Sequence, residues 1–123
     1  MADARTTPDR LKKRSEFLAC AQAPSCAKGA VVVQALPRGG DETLVRVGFT
    51  ATKRIGGAVE RNRAKRRMRE AARALLPEFG DPGVDYVIIA RGGVLTRPWP
   101  RLLDDVKTAL LRLAADRAAT HIG

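Results

Sequence analysis

The chain has 123 residues, the size of one ordinary domain, and 45% of them are apolar, a composition that excludes a disordered chain. Its apolar runs, such as residues 87–90, are far too short for a membrane span, and the basic N-terminal stretch lacks the apolar run of a secretory signal. Lys and Arg number 23 against 13 Asp and Glu, so the formal charge of +10 favours a polyanionic partner, of which nucleic acid is the commonest.

The first predicted element is a short helix. Residues 1–9 are polar, and we expect them to be flexible. Ser15 followed by Glu16 is typical of an N-cap with an acid in the first helical turn. A helix is therefore predicted over residues 15–23, and Pro24 ends it.

Two strands follow. Residues 30–36 are rich in β-branched side chains, and residues 44–52 alternate apolar with other residues, as strands do. The Pro, Gly and Asp residues between them predict a turn, so we expect the two strands to pair as an antiparallel hairpin. Residues 25–28 could add a short edge strand.

A long amphipathic helix is predicted to begin near Ala58 and to stop at Pro77 and Gly80. Its apolar residues recur at helical spacing on one face. They are Ala64, Met68, Ala71, Ala72, Leu75 and Leu76.

The C-terminal part predicts one more strand and one more helix. Residues 84–90 form a continuous apolar run, which is typical of a central strand covered on both faces. Pro100 suits the first turn of a helix, whose apolar face would comprise Leu102, Leu103, Val106, Leu110 and Leu113. The predicted fold is of the α+β class: a two-layer α/β sandwich in the order αβ(β)βαβα with a mostly antiparallel sheet. We expect a single domain over residues 10–119, with residues 120–123 frayed.

The long helix concentrates the positive charge of the chain. Residues 53–73 contain nine basic and two acidic residues, a net +7 of the total +10. On a helix, Arg61, Lys65 and Arg69 form one stripe, Arg66 and Arg73 adjoin it, and Arg63 and Arg67 flank it. A solvated face with spaced ion pairs is the alternative, but pairs of Glu70 with Arg66 or Arg73 would contribute only about 0.2–0.5 kcal/mol each. The excess of Arg, which binds phosphate in a planar, bidentate way, instead indicates nucleic acid.

Three segments resemble the bacterial ribonuclease P protein family. VGFTATKRIGGAVERNRAKRRMREAAR (Val47–Arg73) resembles the strand, basic loop and Arg-Asn-Arg helix of that family. RLKKRSEF (Arg10–Phe17) resembles its N-terminal basic box with an aromatic residue, and DYVIIAR (Asp85–Arg91) resembles its last strand. The similarity covers roughly residues 10–113, and the three segments occur in the family order.

The resemblance implies a function and a set of contacts. The family's protein is the small subunit of an endoribonuclease in which RNA, with Mg²⁺, removes the 5′ leader of precursor tRNA. No catalytic residue and no tightly bound cofactor of the protein would be expected. The residues matching the family's surface for the catalytic RNA are Lys53, Arg54, Arg61, Asn62, Arg63, Lys65, Arg66 and Arg69. The residues matching its basic box and its cleft for the precursor tRNA leader are Lys12, Lys13, Arg14 and Phe17. Any metal positions on the protein stay open.

Further expectations follow from the same resemblance. The fold would contain an unusual left-handed crossover through the basic helix. The partners would be the ribonuclease P RNA and precursor tRNA, with no membrane and no protein partner required, in the cytoplasm. The chain departs from the family pattern at Ala21 and near Gln34, where aromatic residues are expected, so base stacking should matter less and phosphate contacts more. On residue chemistry alone, Phe17 could equally be a core residue, and Asn62 could equally serve the start of the helix.

Other functions fit the residues less well. A ribosomal or RNA-chaperone protein needs the same charge but not the three ordered segments. A protein-only nuclease needs clustered carboxylates for metal ions, which the sequence does not offer. Cys20, Cys26 and His121 are too few for a structural zinc site, so the cysteines are interpreted as packing residues.

Overall fold

The computed structural model describes residues 8–38 and 44–122, with the backbone alone described for residues 120–122. Within these ranges the chain forms five strands and three helices in the order β1-α1-β2-β3-β4-α2-β5-α3. The strands are β1 (Asp9–Arg10), β2 (Ser25–Lys28), β3 (Val31–Pro37), β4 (Arg46–Thr50) and β5 (Val84–Ala90). The helices are α1 (Arg14–Ala21), α2 (Ala58–Phe79) and α3 (Trp99–Ile122). No helix in this part of the chain is long and apolar enough to cross a membrane.

The strands form one mixed sheet in the order β1-β4-β5-β3-β2. Strand β5 is central, pairing in parallel with β4 and antiparallel with β3. At the edges β1 runs parallel to β4, and β2 runs antiparallel to β3. The predicted α+β class and the edge strand over residues 25–28 are confirmed. The antiparallel pairings cover more residues than the two parallel ones, and β1 was not predicted.

The predicted hairpin between the first two long strands is wrong. Strands β3 and β4 do not pair, because β5 lies between them. A strand that is apolar on both faces is stable only in the middle of a sheet, and this requirement outweighs the pairing of neighbours along the chain. Since β4 and β5 are parallel neighbours joined through α2, the predicted crossover exists, and its left-handedness stays a prediction.

Helices cover both faces of the central strand. On one face, α2 and α3 bury Tyr86 and Ile88 of β5 together with the apolar stripes of both helices. On the other face, α1 and the segment before it cover Val87 with Leu11 and Cys20. The predicted apolar stripe of α2 is confirmed, since all its members lie in or against the main core.

Both predicted boundaries of α1 are wrong, since the helix ends at Ala21 rather than at residue 23, and so is the predicted stop of α2 at Pro77, whereas its predicted stop at Gly80 is confirmed. Helix α1 begins at Arg14, because the Glu16 carboxylate, rather than the Ser15 hydroxyl, accepts hydrogen bonds from the backbone before the helix. Helix α2 continues through Pro77 to Phe79. The lost backbone hydrogen bond at Pro77 is offset because Leu76 and Phe79 pack on the core in that last turn. Residues 1–7 and 123, part of the predicted flexible ends, lie outside the described residues.

Candidate nucleic-acid interface

Helix α2 starts from a turn that contains two glycines, Gly56 and Gly57. Gly56 has a φ of +143°, a backbone conformation that residues other than glycine rarely adopt. The Glu60 carboxylate accepts a hydrogen bond from the Gly57 N–H at 3.0 Å and closes the first turn. The Nε of Arg61 donates a long hydrogen bond to the Gly57 carbonyl oxygen at 3.4 Å. The two glycines therefore let the chain pass from the end of β4 into the basic helix.

The outer side of α2 carries almost uncompensated positive charge. Its apolar stripe faces the core, while Asn62, Arg63 and Arg66 are exposed. Among the described residues, the only ion pair made by an α2 cation joins Arg73 to Glu70 at 3.5 Å. The predicted division of the helix into an apolar and a cationic side is confirmed, but the predicted stripe of Arg61, Lys65 and Arg69 is only partly exposed. The predicted alternative of a face neutralised by ion pairs does not describe this surface.

One flank of α2 faces α1 and the N-terminal segment across a cavity of about 310 Å³. This cavity brings Phe17 together with three of the predicted RNA-binding residues of α2, Asn62, Lys65 and Arg69. The guanidinium of Arg69 lies 5.8 Å from the ring centre of Phe49, and its Nε has no hydrogen-bond partner among the described residues. Phe17, predicted to contact the precursor tRNA leader, therefore lines the same cavity as α2 residues predicted to contact the catalytic RNA.

Arg67, on the other flank, has a structural role that sequence reasoning missed. Its guanidinium donates hydrogen bonds to the carbonyls of Val94 and Arg97, both at 2.7 Å, and lies 5.9 Å from the ring centre of Trp99. It thereby holds the loop between β5 and α3. Its position four residues before the buried Ala71, at the border of the apolar stripe, was a signal for this role.

A second basic surface lies where β4 and β5 end. Lys53 and Arg54 are exposed in the loop after β4, as predicted from sequence, and Arg91 follows β5. All three line one cavity of about 760 Å³. Neighbouring parallel strands end at the same edge of a sheet. Because β4 and β5 are such a pair, this rule could have added Arg91 to the predicted RNA-binding residues.

The predicted basic box lies at the start of α1. Lys12, Lys13 and Arg14 are all exposed. The backbone N–H groups of Lys12 and Lys13 each donate to one carboxylate oxygen of Glu16 at 2.9 Å. These hydrogen bonds, with the charge of Arg46, lower the pKa of Glu16 below its ordinary value. The backbone of the box is therefore held while its side chains stay in solvent.

A chain of ion pairs connects this box to the centre of the sheet. Arg46 of β4 donates to Glu16 at 2.8 Å and to both carboxylate oxygens of Asp85 at 2.8 and 2.7 Å. Asp85, on the central strand, is only 3% exposed and also pairs with Arg38. The hydrogen bonds to Asp85 raise the pKa of Arg46, so its guanidinium stays charged. The Glu16–Arg46–Asp85 chain thus fastens α1 and the box to β4 and β5.

Phe17 and the cysteines belong mainly to the packing. The Phe17 ring is half-buried against Gly48 and Leu11, with one edge on the cavity beside α2. Burial, with the nearby Asp85 charge, raises the pKa of the Cys20 thiol to about 11, so it stays protonated at neutral pH. Cys26 packs partly buried against the main core. The interpretation of both cysteines as packing residues is supported.

The fold and this surface define a small α+β domain with a cationic ridge, and the comparisons identify its family. Residues 6–114 match the family model described as Ribonuclease P. The ribonuclease P protein components of Caulobacter vibrioides and Ruegeria pomeroyi are 65% and 50% identical to this chain. The alignments cover 88% and 87% of this chain, and 72% and 87% of those proteins.

A solved structure agrees with this assignment. The RNase P protein from Thermotoga maritima superposes with a TM-score of 0.71 and 26% identity, over 85% of this chain and 96% of that one. The chain belongs to the ribonuclease P protein family, as its three sequence segments predicted.

Proposed function

We propose that this protein is the protein subunit of ribonuclease P, the endoribonuclease that removes the 5′ leader of precursor tRNA. The observation that carries the proposal is the uncompensated cationic side of α2, in a chain whose relatives are named ribonuclease P protein components. Dense arginines without carboxylate partners cost self-repulsion unless a polyanion neutralises them. An RNA subunit supplies that polyanion.

The residues divide by location. The exposed cations of α2 and of the loop after β4 would bind phosphates of the catalytic RNA, each arginine through two parallel hydrogen bonds. The basic box on α1 would bind the precursor tRNA leader, with Phe17 offering the edge of its ring. Because Phe17 is half-buried and Ala21 is exposed on the next turn, phosphate contacts would contribute more than base stacking.

We assign the chemistry to the RNA subunit and its Mg²⁺. Among the residues that the structure describes, no three His, Cys, Asp or Glu side chains come together as a metal site. The two buried carboxylates, Asp85 and Asp105, are each paired with arginine. This donor set does not fit a metal held by the protein, so no step of the reaction is derived through its side chains. The proposal requires no protein partner and places the complex in the cytoplasm.

The decisive experiment measures cleavage of a precursor tRNA by its cognate RNA subunit at limiting Mg²⁺, with and without this protein. We expect strong stimulation of cleavage, because the protein reduces the electrostatic cost of bringing the two RNAs together. Absence of stimulation, with RNA binding retained, would favour a ribosomal or RNA-chaperone role instead.

A matched pair of variants links the effect to α2. The double variant Lys65→Glu and Arg66→Glu reverses one Lys and one Arg on α2, whereas Lys107→Glu and Arg112→Glu makes the same charge change on exposed positions of α3. We expect the first to lose assembly with the RNA and the second to retain it. Circular dichroism should show both folded. Equal loss of RNA assembly in both variants would mean that the RNA responds to the overall charge of the protein rather than to the α2 surface.

A further inference from the structure

Trp99 is an aromatic side chain that neither the core nor the proposed contacts account for. It begins α3 and is 39% exposed, an unusual position for the only tryptophan of the chain. Its indole N–H donates to no described residue, although a tryptophan used for packing usually finds such a partner when buried. The exposed indole is therefore available to a ligand.

Arg67 makes this ring part of a built surface. Its guanidinium lies over the Trp99 ring and is held by two backbone carbonyls, which are uncharged acceptors. The charge of Arg67 therefore remains uncompensated and fixed in position. Arg97, by contrast, is neutralised by the buried Asp105 at 2.9 and 3.0 Å.

The surface is continuous with the cationic side of α2. Arg63 lies one turn before Arg67 on the same side of the helix, is exposed, and pairs with no carboxylate of the described residues. Two acids lie on this side of α2: Glu60 accepts the Gly57 N–H at the start of the helix, and Glu70 is partnered with Arg73. An exposed aromatic ring beside fixed and free arginines matches the chemistry of a nucleotide, whose base stacks while its phosphates bind the cations.

We propose that Trp99 and Arg67 form a stacking site for an unpaired nucleobase of the catalytic RNA, with Arg63 contacting its phosphates. The catalytic RNA is the occupant because α2 and α3 lie on one face of the sheet, whereas α1 and the basic box lie on the other. A base stacked on Trp99 would extend the RNA-binding surface from the cationic side of α2 to the start of α3. The inference rests on the proposed function.

The single tryptophan allows a direct test on the unmodified protein. Tryptophan emission is followed while the catalytic RNA is added, and binding is measured separately by filter retention of labelled RNA. We expect the emission to be quenched in parallel with binding and the indole to become protected from acrylamide. Binding that leaves both emission and acrylamide access unchanged would overturn the stacking site while leaving the proposed function intact.

Two further measurements show which RNA occupies the site and whether the proposed function itself fails. Precursor tRNA added without the catalytic RNA should leave the emission unchanged. Quenching by precursor tRNA, with none by the catalytic RNA, would overturn the assignment of the occupant. Absence of any binding to the catalytic RNA would refute the proposed function and this inference with it.

Substitutions give the energetic test. Trp99→Leu keeps an apolar side chain but removes the aromatic face, and we expect it to weaken binding of the catalytic RNA about five- to a hundredfold. Trp99→Phe should stay within about threefold, because a ring remains. The control Leu111→Ala truncates an exposed apolar residue further along α3 and should bind as the unmodified protein does. Equal affinities for the Leu and Phe variants would overturn the proposal.

Discussion

Gly48 sets the distance between α1 and the sheet. A Cβ atom at this position would lie 2.5 Å from two ring carbons of Phe17, closer than non-bonded atoms approach. A glycine inside a strand often marks such a close approach. The Phe17 ring therefore rests directly on the β4 backbone, and this contact determines how far the basic box stands from α2.

We predict that Gly48→Ala destabilises the protein by about 1–3 kcal/mol, because the flat ring must shift to admit a methyl group. Urea unfolding followed by circular dichroism measures the difference. Gly92→Ala is the matched control, since its Cβ would meet no heavy atom within 4 Å, and its stability should change by less than about 0.5 kcal/mol. Similar losses in both variants would show that the Phe17 contact is not the cause.

At the scale of elements, α1 depends on ion pairs for its attachment. It has eight residues, and Cys20 is its one fully buried side chain. An isolated helix this short is not stable in water. The Glu16–Arg46–Asp85 chain compensates by joining the first turn of α1 to the two central parallel strands. The basic box therefore has a defined position although its residues are exposed.

Asp85→Asn tests this attachment. Removing one partner of a buried ion pair leaves the others uncompensated, and we expect a loss of about 3 kcal/mol, the lower end of the usual range because Arg46 is partly exposed. Thermal or urea unfolding gives the value. Asp104→Asn, at an exposed position of α3, should change stability by less than about 1 kcal/mol. A loss in Asp85→Asn no larger than that would contradict the role of the chain.

Acid should release the same contact. Backbone hydrogen bonds from the basic box lower the pKa of Glu16 in the folded protein below its ordinary value of 4.5. The stability that Glu16 contributes is therefore complete above about pH 4.5 and is lost as the pH falls through the lower folded pKa. The difference in unfolding free energy between the unmodified protein and Glu16→Gln should be constant near pH 7 and shrink in acid. A difference that grows in acid would contradict this assignment.

At the scale of the whole molecule, the charge is local and directed. Residues 53–73 carry a net +7 of the total +10. The fold places these cations on α2 and at the end of β4, while the arginines outside this segment that are ion-paired hold the structure together, as Arg46 does with Asp85. Among the described residues, arginine is therefore distributed in two ways, exposed and mostly unpaired on the outer side of α2, and ion-paired where it holds elements together.

Salt should reveal this division. If about six cations contact phosphates, RNA affinity should fall roughly 10³-fold between 50 and 200 mM salt, because binding releases the counterions of the RNA. The variant Lys65→Glu and Arg66→Glu should show a shallower salt slope, by about one for each lost contact. Binding titrations over this salt range check both statements. A nearly flat salt dependence for the unmodified protein would contradict a phosphate-binding surface.

Much of the fold was predictable from residue patterns. The stripe from Ala64 to Leu76 defined α2, and the apolar run over residues 84–90 identified the central strand, because both patterns depend only on local periodicity and burial. The hairpin between β3 and β4 could not be excluded from sequence, since β5 enters between them from almost forty residues further along the chain. The strand β1 was missed because two residues carry no period.

The chemistry of the surface was therefore determined by the sequence alone: the density of arginine, the amphipathic period of α2 and the family segments are all local properties. Only the tertiary structure decided which arginines are available. Arg67 is held by the loop after β5 and Arg46 is paired with Asp85, whereas Arg63 and Arg66 remain exposed. The physical reason is that a side chain's partners come from elements distant in sequence, which periodicity within one element does not specify.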